Sequence, residues 1–276
     1  MLKLWQKTKT VRVVVLGLLI VFSATAPQGY LMLANTQILS DVPWSLVVLI
    51  PYMIFWVMFY QGKIVKNGSD FRKECYREIV PNTKKMKWGL IAGCSFAMAI
   101  FCLLFFLFQS FRIPITAIPL SGIPWYMALT YIFMITAVAG ISEEVGFRGY
   151  IQVPLQKRYG KNAALIITSL FFLLAHLGHA EFNYILPVYF GFSMMLGVVA
   201  YYTQSLLPSI IVHFVFDFAV FNTFWLLGRD QVTRQISETG FTELHTFMIV
   251  AMAIGSVIGW LTLNKLKAVA GAKYLN

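Results

Sequence analysis

The sequence predicts an all-α, polytopic integral membrane protein of about eight transmembrane helices. Three observations predict it. The 276-residue chain is 59% hydrophobic and only 12% charged, whereas a soluble domain carries about 25% charged residues. Its apolar residues fall into long runs broken by short polar segments. Its basic residues collect in alternate segments, as they do around the spans of a multi-pass protein.

The spans are expected at about 11–34, 44–61, 88–111, 125–150, 163–179, 185–203, 206–227 and 244–263, judged against the roughly 20 apolar residues (about 17–25) that a crossing needs. The first follows Lys3, Lys7 and Lys9 and reaches small residues at 23–26, as a secretory leader would. The apolar pattern resumes at 30–34, so a retained helix is expected. The fourth run is long enough to tilt or protrude, and the fifth is short. Pro114, Pro119 and Pro124 mark the connection before the fourth. The whole of 1–276 reads as one membrane domain, with no room for a separate soluble one. No internal repeat, phosphate-binding glycine loop or CxxC pair is visible.

Charge fixes the expected orientation. The N-terminal segment, the basic loop at 62–87, the connection after the fourth span and the C-terminal tail hold 18 Lys and Arg, against 3 (Arg112, Arg229 and Arg234) in the opposite connections. This bias puts both termini in the cytoplasm. The net charge of +11 is thus an orientation device and an attraction for anionic lipid. Nucleic acid is excluded as a partner because no soluble basic fold presents the charge. Cys75, Cys94 and Cys102 are expected to be reduced structural thiols, not a disulfide framework.

Six ionisable residues interrupt the apolar runs: Glu143, Glu144, Arg148, His176, His213 and Asp217. A charge at membrane depth costs at least about 2.5–3.5 kcal/mol, so such residues mark functional sites by default. Residues four apart share a helix face. Glu144 can therefore pair with Arg148, Phe172 shares a face with His176, and His213 shares one with Asp217. If arginine commits to Glu144, Glu143 is the less compensated carboxylate, suited to take a proton from water. At 1.5 Å per residue, Glu143, His213 and His176 lie about 12, 10 and 20 Å from the cytoplasmic ends of their spans. They are expected to meet in a hollow open to the cytoplasm. Taken singly, Glu144–Arg148 or His213 reads as structural, as do His179 and His245 near the membrane rims. The joint occurrence on three otherwise apolar helices points to function.

Three chemistries use such a set: metal-free peptide hydrolysis by a glutamate-activated water, zinc hydrolysis with two histidines and a carboxylate as ligands, and proton or ion relay. No HExxH spacing signals zinc, and no repeat signals a transporter.

The ordered set EExxxR (Glu143, Glu144, Arg148), FxxxH (Phe172, His176) and HxxxD (His213, Asp217) resembles the CAAX protease and bacteriocin-processing family. That family is also known as the Abi or type II CAAX prenyl endopeptidase-like family. The resemblance covers about 125–225, a third of the chain. It implies an eight-helix intramembrane glutamate protease with no cofactor. Glu143 would be the general base, Glu144 and Arg148 its support, and His176 a holder of the water, while His213 and Asp217 would face the oxyanion. The family's eukaryotic-type enzymes often carry Asn where this chain has Asp217. An ionised aspartate cannot donate a hydrogen bond, so Asp217 is either protonated or orients His213. The short His176–His213 separation suggests a bacterial-type member. Such members are associated with bacteriocin or peptide-pheromone maturation, immunity to bacteriocins and anchoring of other membrane proteins. The expected activity is endopeptidase cleavage of a membrane-associated peptide or protein. The alternative is a non-catalytic immunity or partner-binding protein on the same scaffold.

Overall fold

The computed structural model describes residues 10–39, 42–61, 63–64, 75, 80–111, 123–177 and 185–271. Most of the basic loop at 62–87, together with Arg112, Pro114, Pro119 and His179, lies outside them.

The elements, in chain order, are all helical: α1 (Thr10–Gln37), α2 (Trp44–Tyr60), α3 (Thr83–Ser110), α4 (Trp125–Glu143), a π-helical segment (Glu144–Ile151), α5 (Gln152–Ala175), α6 (Leu186–Thr203), α7 (Leu207–Leu227), the single turns α8 (Arg229–Val232) and α9 (Ile236–Thr239), and α10 (Glu243–Ala270). Among the described residues, six stretches are long and apolar enough to cross a membrane; α2, at 17 residues, is a shorter apolar helix. The protein is a multi-pass, all-α membrane protein.

The fourth and fifth spans depart from expectation. The connection expected between them is itself helical, so 125–175 forms one stretch of 51 residues. Straight, it would measure about 77 Å, more than twice the roughly 30 Å hydrocarbon layer. Gly160 breaks it, with φ 80° and ψ 171°. Only glycine takes that conformation without a Cβ penalty, so one residue replaces the expected loop. Lys157, Arg158 and Lys161 consequently sit on helical backbone.

Helix ends are closed by local chemistry. Asn82 accepts the Lys85 amide at 2.9 Å to cap α3. Thr242 and His245 form a reciprocal capping box at the start of α10, which gives His245 the structural role expected of it. Asn35, Ser45 and Tyr131 tie α1, α2 and α4 together. Tyr131 donates to Asn35 Oδ1 at 2.6 Å, and the Ser45 amide donates to the same oxygen at 2.9 Å. All three residues are buried, so the network is costly to break. The three cysteines are free thiols.

Lipid is as apolar as the side chains it would touch, so helices associate through close packing of small residues. A Cβ on Gly146 would meet Val21 and stand 2.8 Å from the Gly17 carbonyl oxygen; one on Gly17 would meet Ile151 and stand 2.9 Å from the Gly146 oxygen. α1 therefore rests directly on the π segment. Gly191 in α6 has nothing within 4 Å of the same position. Gly146→Ala is expected to cost about 1–3 kcal/mol through overpacking against backbone. Gly191→Ala should fall within about 0.5 kcal/mol of wild type. Unfolding in detergent checks both, and equal midpoints for the two variants would contradict the packing account.

Candidate active site

Four elements bring the polar residues together: the end of α4, the π segment, the end of α5 and the first half of α7. Glu143 is the last residue of α4 and Glu144 the first of the π segment. π-Helical turns are rare and concentrate at functional sites. Here the change of helical form falls between the two glutamates.

Glu144 and Arg148 are fully buried. Arg148 Nη1 lies 3.1 Å from Glu144 Oε1, the i,i+4 pairing expected from the sequence. Arg148 Nη2 donates to the Ser193 hydroxyl at 3.0 Å and to the Ser193 carbonyl at 3.1 Å. Its guanidinium also lies 4.8 Å from the Phe172 ring centroid. The arginine is thus held by α6 as well as by its own helix.

Glu144 has a second partner that spacing does not reveal. The His213 Nδ1–H donates to Glu144 Oε1 at 2.9 Å. His213 Nε2 lies 3.3 Å from Asp217 Oδ2, one turn along α7. Each nitrogen of this buried ring therefore faces a carboxylate. Phe192 packs edge-on against it, with centroids 5.3 Å apart.

His176 stands just past α5 as its C-cap, not within a helical span as expected. It keeps its alignment because its ring stacks on Phe172 at 4.3 Å. Its Nδ1–H donates to the Phe172 carbonyl at 2.7 Å. A carbonyl only accepts, so this bond fixes the tautomer and makes Nε2 the acceptor. Tyr189 of α6 lies on the ring at 4.9 Å.

Glu143 completes the group. Its Oε2 is 3.8 Å from His176 Nε2 and 3.8 Å from His213 Nε2. Both separations exceed a direct hydrogen bond, and Oε2 has no hydrogen-bond partner. Exposure grades across the cluster. Side chains of Glu144 and Arg148 are 0% exposed and His213 2%, while Glu143, His176 and Asp217 reach 12%, 18% and 21%. The Arg148–Glu144–His213 chain is the closed side, and the group is most exposed at Asp217 and His176.

All seven residues singled out in the sequence, Phe172 included, converge here. Ser193, Tyr189 and Phe192 were missed because α6 carries no Asp, Glu, His, Lys or Arg, and a serine in an apolar helix gives no signal until its partner is seen. No group of three His, Cys, Asp or Glu side chains among the described residues has the arrangement to hold a metal ion.

Residues 124–219 match the family model described as type II CAAX prenyl endopeptidase Rce1-like. Over this segment the chain is similar to the CAAX proteases. The match begins at α4 and ends two residues past Asp217, so it contains every residue of the cluster. The CAAX protease family is one of membrane endopeptidases, and the match supports a CAAX-type membrane protease in general. Helices α1 to α3 and α10 lie outside the match. No curated protein and no solved structure matches the chain.

Proposed function

We propose that the protein is an intramembrane endopeptidase that hydrolyses a membrane-associated peptide with a water activated by Glu143. One observation carries the proposal: Glu143 Oε2 stands 3.8 Å from the Nε2 atoms of both His176 and His213. A carboxylate and the acceptor Nε2 of His176 cannot bond to each other directly. A water between them donates one hydrogen to each, at ordinary hydrogen-bond lengths. Its oxygen lone pair is then free to attack a carbonyl.

Glu143 takes the water's proton as attack begins and returns it to the leaving amine. His176 aims the water, through the tautomer set by Phe172. His213 donates from Nε2 to the developing oxyanion. With Nδ1–H committed to Glu144, a donor at Nε2 requires the doubly protonated ring, and Glu144 and Asp217 supply the compensating charge. Asp217 is thereby a positioning residue that need not donate. Arg148 and Ser193 hold Glu144 in place behind the ring.

Both termini then face the cytoplasm, and the catalytic core lies within about 125–225. The substrate class is a bacteriocin- or pheromone-type precursor or a similar membrane peptide, because the apolar surroundings of the cluster suit a chain already in the bilayer. The reaction as written needs no cofactor.

The experiment is cleavage of a panel of membrane-associated peptides by purified protein in lipid nanodiscs, in heavy-oxygen water, with and without chelator. The expected result is one heavy oxygen in the new C-terminal carboxylate and turnover insensitive to chelator. Chelator-dependent loss, restored by zinc, would replace the metal-free scheme. Protection of cells against a bacteriocin that survives loss of Glu143 and His176 would favour a binding protein instead. Asp217→Asn should retain more turnover than Asp217→Ala, because the amide oxygen still orients the His213 ring although it no longer balances its charge. Asp217→Ala should lose about 10²–10³-fold, the worth of an oriented oxyanion donor. Equal losses in the two variants would contradict the positioning role.

A further inference from the structure

Away from the cluster, four helices end together in an arrangement that peptide hydrolysis does not use. Lys87 and Trp88 lie in the second turn of α3, Lys161 just after the Gly160 break, Tyr201 and Tyr202 at the end of α6, and Lys265 and Lys267 near the end of α10. The Lys265 and Lys87 ammonium groups lie 4.7 and 5.2 Å from the Trp88 ring centroid. Lys161 lies 5.5 and 5.6 Å from Tyr201 and Tyr202 and reaches the Tyr202 hydroxyl at 3.4 Å. Lys267 is 6.0 Å from Tyr202. The rings themselves pack into one apolar cluster around Leu266.

Four cations drawn onto three neighbouring rings repel one another. Ring faces attract each ammonium by only about 0.5–1 kcal/mol at exposed sites. Within 83–90, 157–165, 198–203 and 261–270 there is no Asp or Glu to compensate them. None of the four lysines forms an ion pair among the described residues. The missing partner is an anion.

We propose that this cluster binds the phosphate headgroup of an anionic phospholipid. Two features favour a lipid over free phosphate. Trp and Tyr at the ends of apolar helices lie at headgroup level. From the lysines an apolar stripe runs along α10, where Val257, Trp260 and Leu261 are 58%, 59% and 50% exposed. An acyl chain lies along that stripe while its phosphate meets the ammonium groups, whose alkyl stems snorkel towards the same level.

The test titrates the full-length purified protein in mild detergent with phosphatidylglycerol or phosphatidylcholine, reading retained lipid by native mass spectrometry. A parallel arm uses inorganic phosphate as competitor. Phosphatidylglycerol should bind at least about tenfold tighter than phosphatidylcholine, given the attraction of each interfacial Lys for anionic lipid. The K161Q/K265Q/K267Q variant should lose about tenfold or more of that binding. R12Q/K63Q/R234Q removes the same net charge outside those four segments and should change it less than about threefold, as expected for a localised site. Equal binding of the two lipids by wild type would overturn the proposal, as would unchanged binding by the first triple variant or equal loss in both. Displacement of the lipid by inorganic phosphate at matching concentration would reassign the site to a soluble anion. Should the first triple variant not fold, the single K265Q variant and the wild-type lipid preference decide the same question.

Discussion

Glu143→Gln should abolish peptide cleavage while leaving the protein folded. The amide has the carboxylate's shape but cannot accept the proton of water, and loss of a general base costs about 10²–10⁴-fold in rate. A fall of about a thousandfold in kcat is expected, with little change in KM, because Glu143 acts on the water and not on the substrate. Stability should hardly move, since Oε2 makes no hydrogen bond that the amide would lose. Single-turnover cleavage and thermal unfolding measure the two quantities separately. Turnover within about threefold of wild type would remove Glu143 from the chemistry and take the glutamate mechanism with it.

Arg148→Ala should do the opposite, damaging the fold as well as the activity. Arg148 is fully buried against a fully buried Glu144. Removing one partner of such a pair costs about 3–5 kcal/mol, because the other is left as an uncompensated charge. The fall in unfolding temperature should be on the order of 10 °C for a protein of this size. Arg148→Lys should rescue it only in part. A point-like ammonium cannot hold both Glu144 Oε1 and the Ser193 hydroxyl and carbonyl, which the guanidinium spans. The double variant Glu144→Gln/Arg148→Met removes both charges and should regain most of the stability, as replaced buried pairs often do. It should stay inactive, because the negative charge that balances the doubly protonated His213 ring at Nδ1 is gone. A single Arg148→Ala variant as stable as wild type would show that the pair is solvated.

The sequence carries the cluster to different degrees at different residues. Glu144–Arg148 and His213–Asp217 are legible because each pair lies four apart on one helix, and helical geometry does not depend on the rest of the fold. The approach of Glu143 to both histidines is legible only as an inference from cost, since ionisable groups in apolar spans must find one another. Glu144–His213 and Arg148–Ser193 join residues 69 and 45 positions apart, so they appear only once α7 and α6 are packed. The helix boundaries show the same division. α2, α6 and α7 lie within two residues of their apolar runs. α3 and α10 extend several residues beyond theirs, because lysines such as Lys84 and Lys267 continue a helix past the apolar stretch that hydropathy detects. The Gly160 break replaces a loop that charge alone suggests.

The π-helical turn between Glu143 and Gln152 has a consequence of its own. Such a turn holds more residues than an α-turn, so it acts as a phase shifter between the backbone before it and after it. Relaxing it to ordinary α geometry at unchanged length would swing Glu143 by about 100° around the axis, away from both imidazoles. Helical form is therefore as strict a requirement in this stretch as side-chain identity.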